Sequence, residues 1–423
     1  MPRQYRAPRG TQDVLPADQP WWDSVWQTAG RLCDAFGYAR LETPVFEEAS
    51  LFTRGVGEVT DIVQKEMYVF QDRGGQELAL RPEGTAPVCR AYLQHGMHVL
   101  PQPVRLWYWC PIFRYDRPQA GRYRQHTQFG IEAIGEAGAS VDAEVIELLW
   151  RLYEELGLTN LTLHLNSIGD PACRPRFLQA LRDYYRDKLK LVCNDCEGRY
   201  ERNPLRLLDC KQERCQPVIA AAPPFTDYLC DACADHFAHL RSYLEEVSIP
   251  YTINSRLVRG LDYYTRTVFE VQPPDEGAQS SIGGGGRYDG LIEQLGGRPT
   301  PGIGFGCGVE RVIINLKRQA DARREAPLPD SRRLQVYVAV QAADARSCAF
   351  KLASDLRRNG VSALVGSGHR SLKAQMRQAD ALGAAYVAII GERELRDGVV
   401  TLRRLADGTQ ETVALGDVAQ RVK

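Results

Sequence analysis

Apolar residues recur along this chain with two periods, and the changes between them mark its elements. From Trp22 to Phe36 they fall at Trp22, Val25, Trp26, Ala29, Leu32, Cys33 and Phe36, the spacing of one helix face. Gly37 follows, where a helix end favours a left-handed residue. Ala39–Thr43 predicts a short strand stopped by Pro44. Met67–Phe70 and Glu77–Leu80 flank Asp72-Arg-Gly-Gly75, the pattern of a hairpin. Two apolar runs, one rich in aromatics and ending at Phe113 and the other Phe129–Ile134, predict a pair of buried strands joined through a turn at Pro118–Gly121. Residues 171–250 are helical, charged and rich in cysteine. Strand character returns from Tyr251 to Gln272. The run Ser281–Gly290 contains four consecutive glycines and predicts a turn. From Gly302 glycines alternate with apolar residues, and a helix carrying Arg311 follows. Charge and two prolines predict a linker over Gln319–Arg333. Beyond it, Leu334–Val340, helical Ala345–Arg358, Ser362–Val365, helical Ser371–Ala381 and Tyr386–Ile390 predict a small α/β domain with a parallel sheet.

With 423 residues, about two to four domains are expected, each able to bury a core. A hydrophobic content of 44% and a charged content of 25% are those of a soluble globular protein. Met1–Pro20 is polar and Pro-rich, unlike a signal peptide, and no stretch reads as a membrane span, so a cytoplasmic location is expected. The zero net charge argues against nonspecific coating of nucleic acid. Its distribution is uneven. Residues 331–423 hold 15 Lys+Arg against 9 Asp+Glu, and the remainder 38 against 44. A basic C-terminal piece on an acidic body points to an anionic partner for that piece.

Candidate chemistry concentrates between the first two apolar strands. There Arg114, Arg117, Arg122, Arg124 and His126, a part-time cation, face a single acid, Asp116. Arginines held on paired strands form a rigid set of planar donors suited to polyphosphate. Leu80-Arg-Pro-Glu-Gly-Thr85 lies between a strand and a helix. Glu83 and Thr85 there are pocket candidates, although a helix cap needs the same residue types. Arg259, Asp262, Tyr263 and Tyr264 surround a glycine in what reads as a buried strand, a place for close approach by a ligand. The Gly283–Gly286 run is neither a P-loop nor a dinucleotide fingerprint. The glycines after Gly302 leave room for a flat ligand against the strand, with Arg311 above it.

Together these strings resemble the class II aminoacyl-tRNA synthetases, and specifically the histidyl-tRNA synthetase family, over nearly the whole chain. The helix and strand ending at Pro44 resemble motif 1, the dimer-forming element. Phe113-Arg114 with its loop resembles motif 2, and Gly302–Val312 resembles motif 3. The histidine-specific strings are RGLDYYT at Arg259–Thr265 and GGGGRYDGL at Gly283–Leu291. The resemblance implies an α+β catalytic domain with an antiparallel sheet flanked by helices, in residues 1–170 and 251–320. It also implies a helical insertion at 171–250 and a C-terminal α/β anticodon-binding domain at 331–423. It implies a homodimer that joins L-histidine to ATP, accompanied by Mg2+, as histidyl-adenylate, and then passes histidine to tRNA(His).

Residue by residue, the resemblance places Arg114 and Arg259 on the α-phosphate, Arg259 in the place of a metal. Arg122 and Arg311 hold the outer phosphates, Arg311 also covering adenine. Glu83, Thr85 and Gln128 accept from the histidine ammonium. Glu132 and Tyr264 engage the imidazole, with Tyr263 beside them. Arg117 and Gln119 face the tRNA acceptor end. Two positions depart from the family's pattern. His126 stands where a stacking Phe is expected, within Gln125-His-Thr-Gln128, and Asp116 stands where Glu is usual, facing the adenine amino group. Noncatalytic relatives form the rival class: the regulatory subunit of ATP phosphoribosyltransferase and domains that sense uncharged tRNA. Such regulatory subunits lose parts of the histidine strings and usually the anticodon-binding domain, whereas here Arg259, Tyr263, Tyr264, Arg311 and the basic tail are present.

Six of the twelve cysteines fall between Cys193 and Cys233. Two CxxC pairs, Cys193/Cys196 and Cys230/Cys233, predict one shared structural zinc, with free thiols as the alternative. Disulfides are not expected in a reducing compartment. None of the candidate catalytic residues lies in this insertion, so adenylate formation is expected to depend little on it.

Overall fold

A computed structural model describes residues 4–57, 60, 62–119, 121–274, 281–324, 334–367 and 370–423. The chain forms two compact units, Met1–Pro327 and Leu328–Lys423.

The first unit is built on an eight-stranded sheet. Its strands are β1 (Ala39–Arg40), β5 (Val104–Phe113), β6 (Gln125–Ile134), β7 (Thr162–Ser167), β8 (Thr252–Ile253), β9 (Thr265–Gln272), β10 (Gly283–Arg287) and β11 (Gly302–Gly308). Between β1 and β5 in sequence, β2 (Phe46–Glu48), β3 (Tyr68–Gln71) and β4 (Glu77–Leu80) make a separate small antiparallel sheet. The large sheet runs in the order β1-β5-β6-β11-β10-β9-β7-β8. Only its outer pairs, β1 with β5 and β7 with β8, are parallel. The predicted aromatic pair is the long β5–β6 ladder, in register from Val104 opposite Ile134 to Phe113 opposite Gln125.

Because side chains alternate across a strand, the two faces of this sheet differ. One face carries Phe129, Ile131, Phe269, Ile303, Phe305 and Cys307. It packs against the helices Gln19–Ala35, Ala139–Glu155, Asp231–Glu246 and Val309–Arg323 in one apolar core. The other face carries Gln128, Glu132, Glu270, Gly284 and Gly286 of β10 and the glycines of β11, and it floors a cavity.

Three sequence expectations change here. The glycine run is not a turn but strand β10, paired on both sides. A Cβ at Gly285 would meet the Gly304 carbonyl oxygen at 1.9 Å, so tight sheet packing overrides the local turn preference. Leu257–Tyr264 is not a strand but the loop leading into β9. The linker expected from Gln319 begins later, because the helix continues to Arg323 and Gln319 bonds to Thr159. Residues 325–333 of that linker, and Ala120 of the expected turn, lie outside the described residues.

In the second unit the strands run in the order Ala363–Val365, Val336–Val340, Tyr386–Ile390, Val399–Arg404, Gln410–Ala414. The first three are parallel, as the strand–helix–strand pattern predicts. The last two are an antiparallel extension that the sequence reading did not identify.

Candidate active site

A cavity of about 560 Å³ opens on the polar face of the large sheet. Glu83, Thr85, Arg114, Asp116, Arg122, His126, Gln128, Arg259, Tyr263, Tyr264 and Arg311 all line it. They come from sequence positions more than 200 residues apart.

The floor is set by glycines that make room for side chains rather than for a ligand. On β11, Gly304 lies opposite Glu132 and Gly308 opposite Gln128. A Cβ on Gly304 would meet Glu132 Oε2 at 1.9 Å, and one on Gly306 would meet Gln128 Nε2 at 2.0 Å. The flat-ligand expectation for these glycines is therefore corrected at those two positions. Glu132 itself is fully buried beneath the floor. Its carboxylate accepts from Thr85 Oγ1 at 2.7 Å, Tyr288 OH at 2.7 Å and Tyr108 OH at 3.4 Å. Gln128 Nε2 donates to Tyr108 OH at 3.0 Å, which ties the cavity surface to that network. Burial pushes the Glu132 carboxyl up to about 8, against the hydrogen bonds from Tyr288 and Thr85.

Glu83 is buried at the start of the helix Thr85–Gln94. It accepts from the backbone N–H groups of Thr85 at 2.8 Å and Ala86 at 2.7 Å. It is a helix cap and a cavity residue at once, so both readings of this residue hold. Burial raises its pKa, opposed by those two N–H groups and by Arg114. Tyr263 OH reaches it at 3.4 Å, and the Tyr263 and Tyr264 rings stack tilted at 4.7 Å. The Tyr264 carbonyl is pinned by Arg174 Nη2 at 2.7 Å.

The arginines are positioned by backbone and carboxylate partners. Arg114 Nε donates to the Pro82 carbonyl at 2.7 Å. Arg122 pairs with Asp116 at 3.2 Å. Arg311 donates from Nε to the Gly121 carbonyl and from Nη1 to the Ser281 carbonyl, each at 2.7 Å. Arg259 forms an ion pair with Glu270, while its buried Nε has no partner among the described residues. The Glu270 charge raises its pKa against the opposing effect of burial. His126 is no cation here. Burial, then the charges of Arg114 and Arg311, lower its pKa to about 3. Arg124 leaves the group altogether, its guanidinium lying 3.9 Å over the Tyr115 ring. Arg117 and Gln119 are exposed and do not line the cavity. Asp262 also stays outside the lining, held by Asn203 Nδ2 at 2.9 Å.

Several participants escaped the sequence reading. Tyr108 and Tyr288 hold Glu132, and both sit inside strings already singled out. Glu310 accepts from the Thr127 N–H at 2.8 Å, just past the last β6–β11 pair, and burial pushes its carboxyl up to about 7. The opposite wall comes from the cysteine-rich segment: Asp195, Arg199, Arg206, Asp209, Cys210, Lys211 and Gln212 line the same cavity. That segment therefore lines the cavity although it holds none of the candidate catalytic residues.

The zinc grouping also needs correction. Cys193 and Cys196 converge with Cys210 and Cys215, whereas Cys230 and Cys233 converge with Cys173 and Asp170. The two CxxC pairs begin different helices, Asn194–Arg202 and Asp231–Glu246, and do not meet.

The comparisons with known proteins agree with this geometry. The histidyl-tRNA synthetase family matches residues 10–312, and the anticodon binding domain family matches residues 335–423. A histidine–tRNA ligase of Dehalococcoides mccartyi is 55% identical over 419 residues, covering 99% of each chain. One from Desulforamulus reducens is 50% identical over 98% of each. The crystal structure of apo histidyl-tRNA synthetase from S. aureus superposes with a TM-score of 0.82 at 36% identity, over 99% of this chain and 100% of that one. With a family match over most of the chain and relatives of this identity along its whole length, the chain belongs to the histidyl-tRNA synthetase family.

Proposed function

We propose that this chain ligates L-histidine to tRNA(His) in two steps, with ATP activating the amino acid as histidyl-adenylate and pyrophosphate and AMP released in turn. The observation that carries this reading is the buried Glu132 network under a cavity walled by arginines, in a chain whose relatives match it end to end. In-line displacement at a phosphate asks the protein mainly to position groups and neutralise charge. Arg114 and Arg259, both lining the cavity, take the α-phosphate. Arg122 and Arg311 take the outer phosphates. Mg2+ accompanies ATP and shares that charge. His126, neutral, offers a planar face to adenine, and Asp116 offers an acceptor to its amino group.

Histidine enters over the sheet floor. Its ammonium meets Glu83, Thr85 and Gln128. Its imidazole lies beside Tyr264, with Tyr263 closing the side, above Glu132, which is buried beneath the floor and is reached only if its Thr85 or Tyr288 partner gives way. A site that bonds both ends of a small polar ring rejects most other amino acids by about 10⁴-fold without editing. Arg117 and Gln119, exposed outside the cavity, serve the acceptor end of the tRNA, and the basic residues 331–423 serve the anticodon. The chain acts as a cytoplasmic homodimer. Supporting an interface, Phe46, Val69 and Phe70 of the small sheet, and Val45 beside it, are each between 41% and 52% exposed. Among the described residues no helix is long and apolar enough to cross a membrane.

The test is ATP–pyrophosphate exchange and tRNA(His) aminoacylation by the purified chain. Exchange that depends on L-histidine, with charging of tRNA(His), is expected. A chain that binds histidine but catalyses neither reaction would be a noncatalytic relative instead.

A further inference from the structure

The cysteine-rich segment holds two groups of four ligand atoms, and each group lies within 4.8 Å of itself. In the first, the sulfurs of Cys193 and Cys210 are 3.7 Å apart and those of Cys196 and Cys215 are 4.0 Å apart. In the second, Cys173 and Cys233 are 3.9 Å apart, and Asp170 Oδ1 lies 3.6 Å from Cys173 Sγ and 4.0 Å from Cys230 Sγ. Four thiolates bonded to one zinc sit about 3.8 Å apart, and a carboxylate oxygen sits about 3.5 Å from its sulfur neighbours, as follows from tetrahedral bond lengths. Disulfides would need pairs at about 2 Å, not quartets.

We propose that this segment carries two structural zinc sites: a Cys193/Cys196/Cys210/Cys215 tetrathiolate and an Asp170/Cys173/Cys230/Cys233 site. Both use the same local device. Cys193 and Cys230 each stand at the N-cap of a helix, and Cys196 and Cys233 each stand in its first turn. Backbone N–H groups point at sulfur in both, from Cys193 to Cys215 Sγ at 3.2 Å and from Asp170 to Cys173 Sγ at 3.4 Å. Such outer donors stabilise thiolate ligands. Four protein ligands complete each tetrahedron, so each site is closed and structural. Binding displaces four thiol protons at the first site and three at the second, where Asp170 is already ionised, leaving each complex with net charge −2. Arg266, 3.3 Å from Asp170, offsets part of the second.

Each site bears on the cavity. Cys210 lines it and leads directly into Lys211 and Gln212. Arg174, the residue after Cys173, holds the Tyr264 carbonyl. Metal binding adds folding energy to the apolar core that the segment already buries. The inference rests on ligand geometry alone and stands whether or not the assigned reaction is right.

The test uses the full chain. After exhaustive dialysis against metal-free buffer, elemental analysis should find two zinc ions per chain. The C193S/C196S variant and the C230S/C233S variant should each retain one. Because a variant can misfold, the wild-type protein is also treated with a thiol reagent beside a chromogenic zinc indicator. The half-buried Cys193 and Cys230 should stay unreactive until a chelator is added, and then react as two zinc ions appear. One zinc or none per chain overturns the proposal, as does immediate labelling of Cys193 and Cys230 without metal release, or disulfides among these cysteines by mass spectrometry.

Discussion

On one wall of the cavity, Gln128 and Glu132 stand on a central strand and are seated by glycines of its neighbour, with Tyr108, Tyr288 and Thr85 bonded around the carboxylate. On the other wall, Lys211 and Gln212 stand on an irregular stretch between short helices, and Lys211 makes an ion pair with Asp209 at 3.1 Å with nearly half its side chain exposed. The sheet wall is fixed by close packing, where a single added methyl has nowhere to go. The insertion wall is fixed by its own apolar core, with Phe177, Leu181, Leu207 and Phe225 buried, and by thiol clusters. Arg259 stands on the loop leading into β9 and is tied to the sheet wall by its ion pair with Glu270. The comparison predicts that damage on the two walls will differ in size and in kind.

The largest effect should come from Arg259. Changing Arg259→Ala should lower histidine-dependent pyrophosphate exchange by about 10² to 10³, the loss of one preorganised donor. Arg259→Lys should recover little, since a point charge does not reproduce a planar fork. A wild-type exchange rate in either variant would remove Arg259 from the chemistry. Next comes the second unit. A chain ending at Arg324 should keep adenylate formation yet charge tRNA(His) about 10²-fold less well, as one of two linked contacts is lost. Its tRNA affinity should also fall less steeply with salt, because phosphate contacts set that slope. Unchanged charging and slope would show that residues 331–423 do not meet the tRNA. By contrast, Lys211→Ala, on the insertion wall, should change exchange by no more than about 5-fold, the range of an exposed ion pair. A larger loss would move that wall into the chemistry.

A smaller effect concerns pH. Burial holds the Glu132 carboxyl at about 8, above its usual 4.5, so the folded chain keeps a proton that the unfolded chain releases. Folding therefore takes up a proton between those values, and stability falls as pH rises from about 5 to 8. Urea midpoints of the ligand-free Glu132→Gln variant should fall less over that range than those of the wild type. Parallel curves would mean that Glu132 is ionised in the empty site.

The same two walls show what a sequence reveals. The β5–β6 ladder and the parallel part of the second unit were legible because their alternation and flanking turn residues are local signals. Glu83, Thr85, Arg114 and Arg259 were legible as candidates for the cavity they line because the residue types suit phosphate and ammonium. Their convergence was legible only through family resemblance. The β10 glycines misread as a turn, since their reason lies in strands β9 and β11 and not in their neighbours. Tyr108 and Tyr288 were given no role, because only the fold shows whose carboxylate they hold. The cysteine spacing gave the right residue type and the wrong partners. Which CxxC pair meets which cysteine depends on how helices turn in space.

The most direct test of the division between the walls is the kinetics of Glu132→Ala in pyrophosphate exchange, titrated with histidine at saturating ATP and then with ATP at saturating histidine. Removing the acceptor for an imidazole N–H should raise the histidine KM by about 10- to 100-fold, the range for a buried partner left unpaired. The ATP KM should stay near its wild-type value. An equal rise in both constants, or none in the histidine KM, would contradict the placement of histidine over the sheet floor.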